Sequence, residues 1–296
     1  MTTVHIMVNP HSGNHEAEKY APVLKNKLQS LGVSSKIFVS KSAEEMVESV
    51  KSAVDNKIDH IFILGGDGSV AMTVQIIAEV HEGPGLGIIP CGTVNNFYQS
   101  LGGTNDPRRA VDRLDNLKTT KIDLAKVNDQ YILSTLSAGT IPETTWKVST
   151  NKKELFGKFA YIMDGFKALG EEVPHTFTIK TEERTLEKTF SLFVIGLRGF
   201  VFGLPDFFPE ATSNDGRLYF FGLDPSSLSQ KLKVAKDVLY PDGPTNAKEQ
   251  LTTELQFIHA TITSDFEGFV TLDGNKGPRF PLEIKVIPEV LAVILP

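Results

Sequence analysis

A single cysteine, Cys91, stands among the 296 residues. No internal disulfide can form, and a reducing compartment suits such a chain. Basic bias is missing too. The formal charge of -6 argues against a nucleic-acid partner. It leaves only a local basic patch as a means of meeting an anionic membrane. No stretch approaches the ~20 apolar residues of a helical membrane span. The most apolar tail, Val286 to Pro296, is broken by Pro288 and Glu289. The opening MTTVHIMVNP has neither the basic start nor the apolar run of a signal peptide, so a cytoplasmic location is expected. Repeats and low-complexity segments are absent.

What is present is 41% hydrophobic residues, enough for one large or two ordinary domains. Trp146 and the phenylalanines read mostly as core. The most informative stretch is Ile61-Phe-Ile-Leu-Gly-Gly-Asp-Gly-Ser69. Its apolar run predicts a strand buried on both faces. Gly65, Gly66 and Gly68 allow a close backbone approach, and Ser69 is a candidate N-cap for a helix over 70–80. A strand, a glycine turn and a helix start make an anion site. Asp67 is the exception, because a carboxylate repels phosphates unless it holds a metal or accepts hydrogen bonds.

Strands are expected at 4–8, 35–39, 60–64 and 86–89, with helices at 15–31, 42–54, 70–80 and 107–114. Such alternation predicts a parallel sheet covered by helices. Three polar turns follow strand ends, Asn9–Gly13, Gly65–Gly68 and Cys91–Thr93. Ligands of parallel sheets bind beyond those ends, so the turns should converge. From about Lys118 the texture changes. A hairpin around Asn128-Asp129, a helix at 153–169 and strands at 176–180, 190–196, 218–221 and 255–263 predict a β-rich remainder. The expected fold is an α/β N-terminal domain with a parallel sheet (1–120, nucleotide-binding), then a β-rich, sandwich-like C-terminal domain (121–296, substrate-binding). A return of the last strand to the first domain is compatible with this expectation.

In order, Asn9-Pro10-x-Ser12-Gly13, Gly65-Gly66-Asp67-Gly68-Ser69, Pro90-x-Gly92-Thr93-x-Asn95, Asp215-Gly216-Arg217-Leu218 and Asp273-Gly274 span nearly the whole chain. This set resembles the diacylglycerol kinase catalytic-domain family, especially its soluble bacterial lipid kinases. Gly157-x-x-Ala160-Tyr161 resembles that family's mid-chain helix. The glycine-aspartate turn is shared with NAD kinases; the flanking motifs favour the lipid kinases. The resemblance implies transfer of the γ-phosphoryl group of ATP to a lipid hydroxyl, with ATP in a cleft between the domains and Mg²⁺ as cofactor. It assigns Asn9, Ser12, Gly66, Asp67, Gly68 and Thr93 to the nucleotide. Asp67 would organise Mg²⁺, Asp215 with the backbone of Leu218 would form a second metal position, and Asp273 would be the base. It also implies a lipid substrate met at the inner membrane face by a peripheral, cytoplasmic protein, and it allows a homodimer.

Three acidic positions of the family pattern are replaced. Ala71 and Met72 stand where Asn-Glu is common, Asn96 where Asp is, and Asn275 where Glu is. Fewer carboxylates predict weaker metal binding. The alternatives are therefore a catalytically weak nucleotide- or lipid-binding pseudokinase, or a kinase for a small soluble acceptor such as NAD. Cys91 has no neighbouring histidine and reads as filler. His11 and His15 lie in a turn, not at metal-ligating helical spacing. The phenylalanine-rich run 198–209 either caps the core or forms a lipid-facing rim.

Overall fold

The computed structural model describes residues 2–12, 16–80, 82–139, 173–201, 204–239 and 246–295. The helix expected at 153–169, its Gly157, Ala160 and Tyr161, and also Gly13, His15 and Trp146 lie outside them. The chain divides into two compact units, Met1–Leu124 with Ile287–Pro296, and Ala125–Val286.

The first unit is the expected α/β layer. Strands β1 (Thr3–Val8), β2 (Ser34–Val39), β3 (His60–Gly65) and β4 (Gly85–Pro90) run parallel in the order β2-β1-β3-β4. Strands β3 and β4 are buried almost throughout, as expected of a sheet covered on both faces. Helices α1 (Glu16–Ser30), α2 (Ala43–Asp55), α3 (Asp67–Ile77), α4 (Asn96–Ser100) and α5 (Pro107–Asp112) alternate with the strands or follow them. Helix α1 packs on α5 and α2 packs on α3. The α2 start matches its sequence pattern: the Ser42 hydroxyl accepts the Glu45 N–H at 3.2 Å, and the Glu45 carboxylate accepts the Lys41 N–H. Helix α1 stops at Gly32, whose φ is +75°. Helix α3 starts three residues earlier than expected. Gly66 is its N-cap and Ser69 lies inside its first turn.

The second unit holds two packed antiparallel sheets. One contains β8 (His175–Thr181), β9 (Thr185–Phe190), β13 (His259–Ser264) and the first part of β16 (Leu282–Ile294), in the order β16-β13-β8-β9. The other runs β12-β11-β10-β7-β14-β15. Its strands are β7 (Thr135–Gly139), β10 (Leu192–Gly196), β11 (Leu218–Leu223), β12 (Thr252–Phe257), β14 (Thr271–Leu272) and β15 (Asn275–Lys276). A hairpin of β5 (Thr119–Val127) and β6 (Gln130–Ile132) turns at Asn128-Asp129, with Asn128 at φ +51°. The main core includes Phe177, Phe190, Phe193, Phe220 and Phe257, all buried. Edge-to-face contacts such as Phe177 on Phe193, centroids 5.0 Å apart, fix their packing.

Two expected strands are each split. Residues 190–196 end β9 and form β10, and 255–263 end β12 and form β13. In both cases the chain passes from one sheet to the other, at Ser191 and at Ile258. Two helices, α6 (Leu228–Leu239) and α7 (Ala247–Leu251), pack together. Val234 and Ala247 join Val194, Tyr219, Phe221 and Leu223 in a second core. Phe207 and Phe208 pack into that same cluster, Phe207 at 5.2 Å from the Phe221 ring. For these two phenylalanines the core-capping expectation holds and the exposed-rim expectation does not. Phe202 lies outside the described residues.

Candidate functional site

The three polar turns of the first unit meet. After β1, Asn9 donates its backbone N–H to the Leu64 carbonyl at 3.0 Å. Its side-chain amide reaches the Ser69 hydroxyl at 2.8 Å, tying the first turn to helix α3. The Asn9 side-chain oxygen accepts the His11 N–H at 3.0 Å, and its carbonyl accepts the Ser12 N–H at 3.1 Å. Ser12 is therefore held in a closed turn, half-buried. Ser69 serves as the partner of Asn9 rather than as a helix cap.

The second and third turns touch backbone to backbone. A Cβ built on Gly92 would sit 2.5 Å from the Gly66 Cα and 2.7 Å from Asn95 Oδ1. Only glycine fits there without moving the turn. The Cys91 N–H donates to the Gly65 carbonyl at 2.9 Å. Asn95, buried and left-handed at φ +56°, closes the third turn on itself. Its Oδ1 accepts the Gly92 N–H and its Nδ2 donates to the Gly92 carbonyl, both at 2.9 Å. Asparagine tolerates this backbone because its short polar side chain bonds locally. Gly68 differs from Gly66. It is exposed, and a Cβ there would meet nothing within 4 Å. Thr93 is exposed at the tip of the third turn.

Asp67 locks the cluster. Its Oδ2 accepts the Asn96 N–H at 2.9 Å and its Oδ1 the Phe97 N–H at 3.1 Å. These are the first N–H groups of α4, so Asp67 caps that helix across 29 residues of chain. Burial raises its pKa above the ordinary carboxylate value, and the backbone donors Asn96, Phe97 and Asn95 oppose that shift. Burial prevails. Nearby, the Asn96 side-chain oxygen is buried with no hydrogen-bond partner. A buried acceptor without a donor is costly, and a ligand that supplies one would relieve it. Ala71 and Met72 sit half-buried on α3, just past the turn.

Asp67 fits a Mg²⁺ role only in part. Mg²⁺ commonly uses one or two carboxylates together with phosphates and water. Asp67 retains lone-pair capacity beyond its backbone bonds. Among the described residues no group of three His, Cys, Asp or Glu comes together. The Asp215 carboxylate is engaged within its own turn. Its Oδ2 accepts from the Thr212 N–H at 2.7 Å and the Tyr219 hydroxyl at 3.1 Å, and its Oδ1 from the Arg217 N–H at 2.9 Å. Those bonds account for Asp215 as the organiser of its own turn. Leu218 begins β11 opposite Phe257, with its side chain buried. The Tyr219 hydroxyl is pushed up to about 12 by burial, then by Asp215.

In the second unit, Asp273 stands in the β14–β15 turn at φ +47°. Its Oδ2 accepts the Leu133 N–H at 2.7 Å; its Oδ1 accepts Ser134 and Thr135 N–H groups at 2.8 and 2.9 Å. These three consecutive donors lie where β6 gives way to β7. The Asp273 N–H in turn donates to the Thr135 carbonyl at 2.9 Å. Buried Arg198 bonds the Leu133 carbonyl through Nη1. Asn275 is exposed two residues on. Sequence reasoning assigned no role to Asn95, Arg198 or the 133–135 break. Only Asn95, placed in the Pro-x-Gly-Thr-x-Asn run, carried a signal. Cys91 is buried and its thiol is pushed up to about 12 by burial, consistent with filler.

Residues 3–127 match the family model for the diacylglycerol kinase catalytic domain. The diacylglycerol kinase of Bacillus subtilis is 26% identical over 297 residues, covering 100% of this chain and 97% of that protein. One from Staphylococcus aureus is 27% identical over 291 residues, covering 98% and 91%. A crystal structure of a Bacillus anthracis diacylglycerol kinase shares the fold with a TM-score of 0.76 at 20% identity, covering 100% and 97%. Residues 3–127 thus match that catalytic domain, and over nearly its full length the chain is similar to bacterial diacylglycerol kinases.

Proposed function

We propose that this chain transfers the γ-phosphoryl group of ATP to the hydroxyl of a diacylglycerol-like lipid. The observation that carries the reading is the Asp67-locked meeting of three turns, because it leaves Gly68 exposed at a helix start, where an anion is favoured, and Thr93 exposed on the third turn. Asn9, Ser12, Gly66, Gly68 and Thr93 would line the phosphates, with Asp67 as a ligand of Mg²⁺. That ion would neutralise phosphate oxygens as charge shifts during transfer. Asp215, already held in place by its own turn, and the backbone of Leu218 would form a second metal position.

Phosphoryl transfer asks mainly for position and charge balance. The acceptor oxygen forms a bond to the γ-phosphorus as the β–γ bridging bond breaks, ADP departs, and the hydroxyl proton passes to Asp273. The three backbone donors hold the Asp273 carboxylate in one orientation, as a base of this kind needs.

The test uses purified protein with labelled ATP, Mg²⁺ and mixed micelles of diacylglycerol, monoacylglycerol or sphingosine. The expected result is labelled diacylglycerol, formed by the native chain and lost in Asp273→Ala. ATP binding without transfer to any acceptor would instead mark a pseudokinase. Transfer only to a soluble acceptor such as NAD would overturn the lipid assignment.

A further inference from the structure

The β14–β15 hairpin that presents Asp273 carries an unusual outer face. Val270 and Leu272 point into the core, and the Gly277 N–H donates to the Val270 carbonyl at 2.8 Å. The Val270 N–H donates to the Pro278 carbonyl at 3.0 Å, closing the stem. By strand alternation Phe269 then faces outward, 41% exposed. The Lys276 ammonium stands 3.6 Å from the centre of its ring and the Arg279 guanidinium 4.5 Å from it. Phe280 turns inward and contacts Phe177 and Phe266, which anchors the stem while Arg279 faces out.

Neither cation has an ion pair among the described residues. Of the neighbouring acids, Asp265 and Asp273 bond partners other than these two cations. Asp265 lies 3.4 Å from His175 Nδ1 and accepts the Thr176 N–H, and Asp273 accepts its three backbone donors. Glu267 is exposed but pairs with neither cation. The chain as a whole carries -6, so two uncompensated cations sharing one exposed aromatic ring form a local exception. Lys and Arg reach anionic headgroups while an aromatic ring enters the acyl boundary.

We propose that Phe269, Lys276 and Arg279 form a docking surface for an anionic phospholipid bilayer. It would place the Asp273 hairpin at the layer from which a lipid acceptor comes; that placement rests on the lipid-kinase reading, while the docking itself does not. The docking surface is thus not the aromatic run at 198–209, whose Phe207 and Phe208 are packed inside.

The test is co-sedimentation of the full chain with phosphatidylglycerol or phosphatidylcholine vesicles. The native chain should prefer the anionic vesicles. Each Lys or Arg near such a surface is worth about fivefold in partition, so Lys276→Gln with Arg279→Gln should weaken binding about 30-fold. Phe269→Ala should weaken it on the same vesicles, while Arg184→Gln, an exposed cation elsewhere on the unit, should leave it within about twofold. Equal binding to both vesicle types, or a double variant that binds like the native chain, would overturn the proposal. A second readout separates this from the kinase reading. On a short-chain diacylglycerol below its micelle concentration, with no surface to dock on, the double variant should turn over like the native chain. A chain that phosphorylates no lipid, yet loses vesicle binding through these residues, would sink the kinase reading and uphold this one.

Discussion

Asp67 and Asp273 use the same local chemistry in two different backbone settings. Each carboxylate gathers N–H groups from a segment distant in sequence. Asp67 starts a helix and caps a second one, so its bonds join two turns of a parallel sheet. Asp273 sits left-handed on a hairpin and bridges a strand break in an antiparallel one. In each unit the aspartate is part of the scaffold, and its proposed chemistry draws on an orientation that the scaffold supplies. A substitution that removes the carboxylate therefore disturbs structure and function together. One that keeps an acceptor oxygen begins to separate them.

The largest effect expected is on turnover. Asp273→Asn keeps one acceptor oxygen for the 133–135 donors but cannot take the proton, so steady-state transfer to diacylglycerol should fall about 10²–10⁴-fold. A circular-dichroism melt close to that of the native chain would assign the loss to chemistry; a collapsed melt would erase the distinction between the two aspartates.

Next come the two glycines of the turn cluster. Gly92→Ala would press a methyl group onto the Gly66 backbone. Denaturant titration should show a loss of about 1–3 kcal/mol, with nucleotide binding lost as the turns part. Gly68→Ala meets open space in the first turn of α3. It should hold stability steady or raise it by up to about 1 kcal/mol, while weakening nucleotide binding by blocking backbone approach. If both variants behave alike, close turn contact is not what shapes the site.

A smaller effect concerns pH. Burial raises the Asp67 pKa, so the folded state holds this proton more tightly than the unfolded state. That stabilising contribution is full below the ordinary carboxylate pKa and is lost as pH rises through the raised value. The stability of the native chain relative to Asp67→Asn should fall across that window and then level off. A difference that grows with pH would contradict the assignment of burial as the dominant cause. The smallest effect belongs to Cys91. With its thiol pushed up to about 12, alkylation at pH 8 should proceed only as fast as the chain opens, and denaturant should release it.

The layered fold was legible because it rests on periodicity and punctuation. Alternating apolar runs and glycine turns showed the parallel sheet, and β-strand spacing showed the antiparallel remainder. Legibility failed at sandwich corners. At Ser191 and Ile258 the chain leaves one sheet for the other within a strand-like run, and periodicity carries no mark of which sheet a residue joins. Helix α6 was missed although Val234 and Ala235 give it a buried face, because polar Lys231 and Asp237 share that burial and blur the pattern.

The turns of the candidate site were legible one by one. Their convergence followed from sheet topology alone. The bonds that lock them were not visible, since no local rule pairs Asp67 with Asn96 or Asp273 with Leu133. Tertiary folding supplies those partners. The same holds for the aromatic residues: composition drew attention to Phe207 and Phe208, while packing left Phe269 outside beside two cations.

The central claim is a division of labour, with Asp67 serving the nucleotide and Asp273 the acceptor. The most direct measurement is an ATP titration of Asp67→Asn and Asp273→Asn beside the native chain, in the presence of Mg²⁺. The account predicts tenfold or greater weakening for Asp67→Asn, on the order of 1.4 kcal/mol or more, and native-like affinity for Asp273→Asn. Equal weakening in both variants, or none in Asp67→Asn, would contradict it.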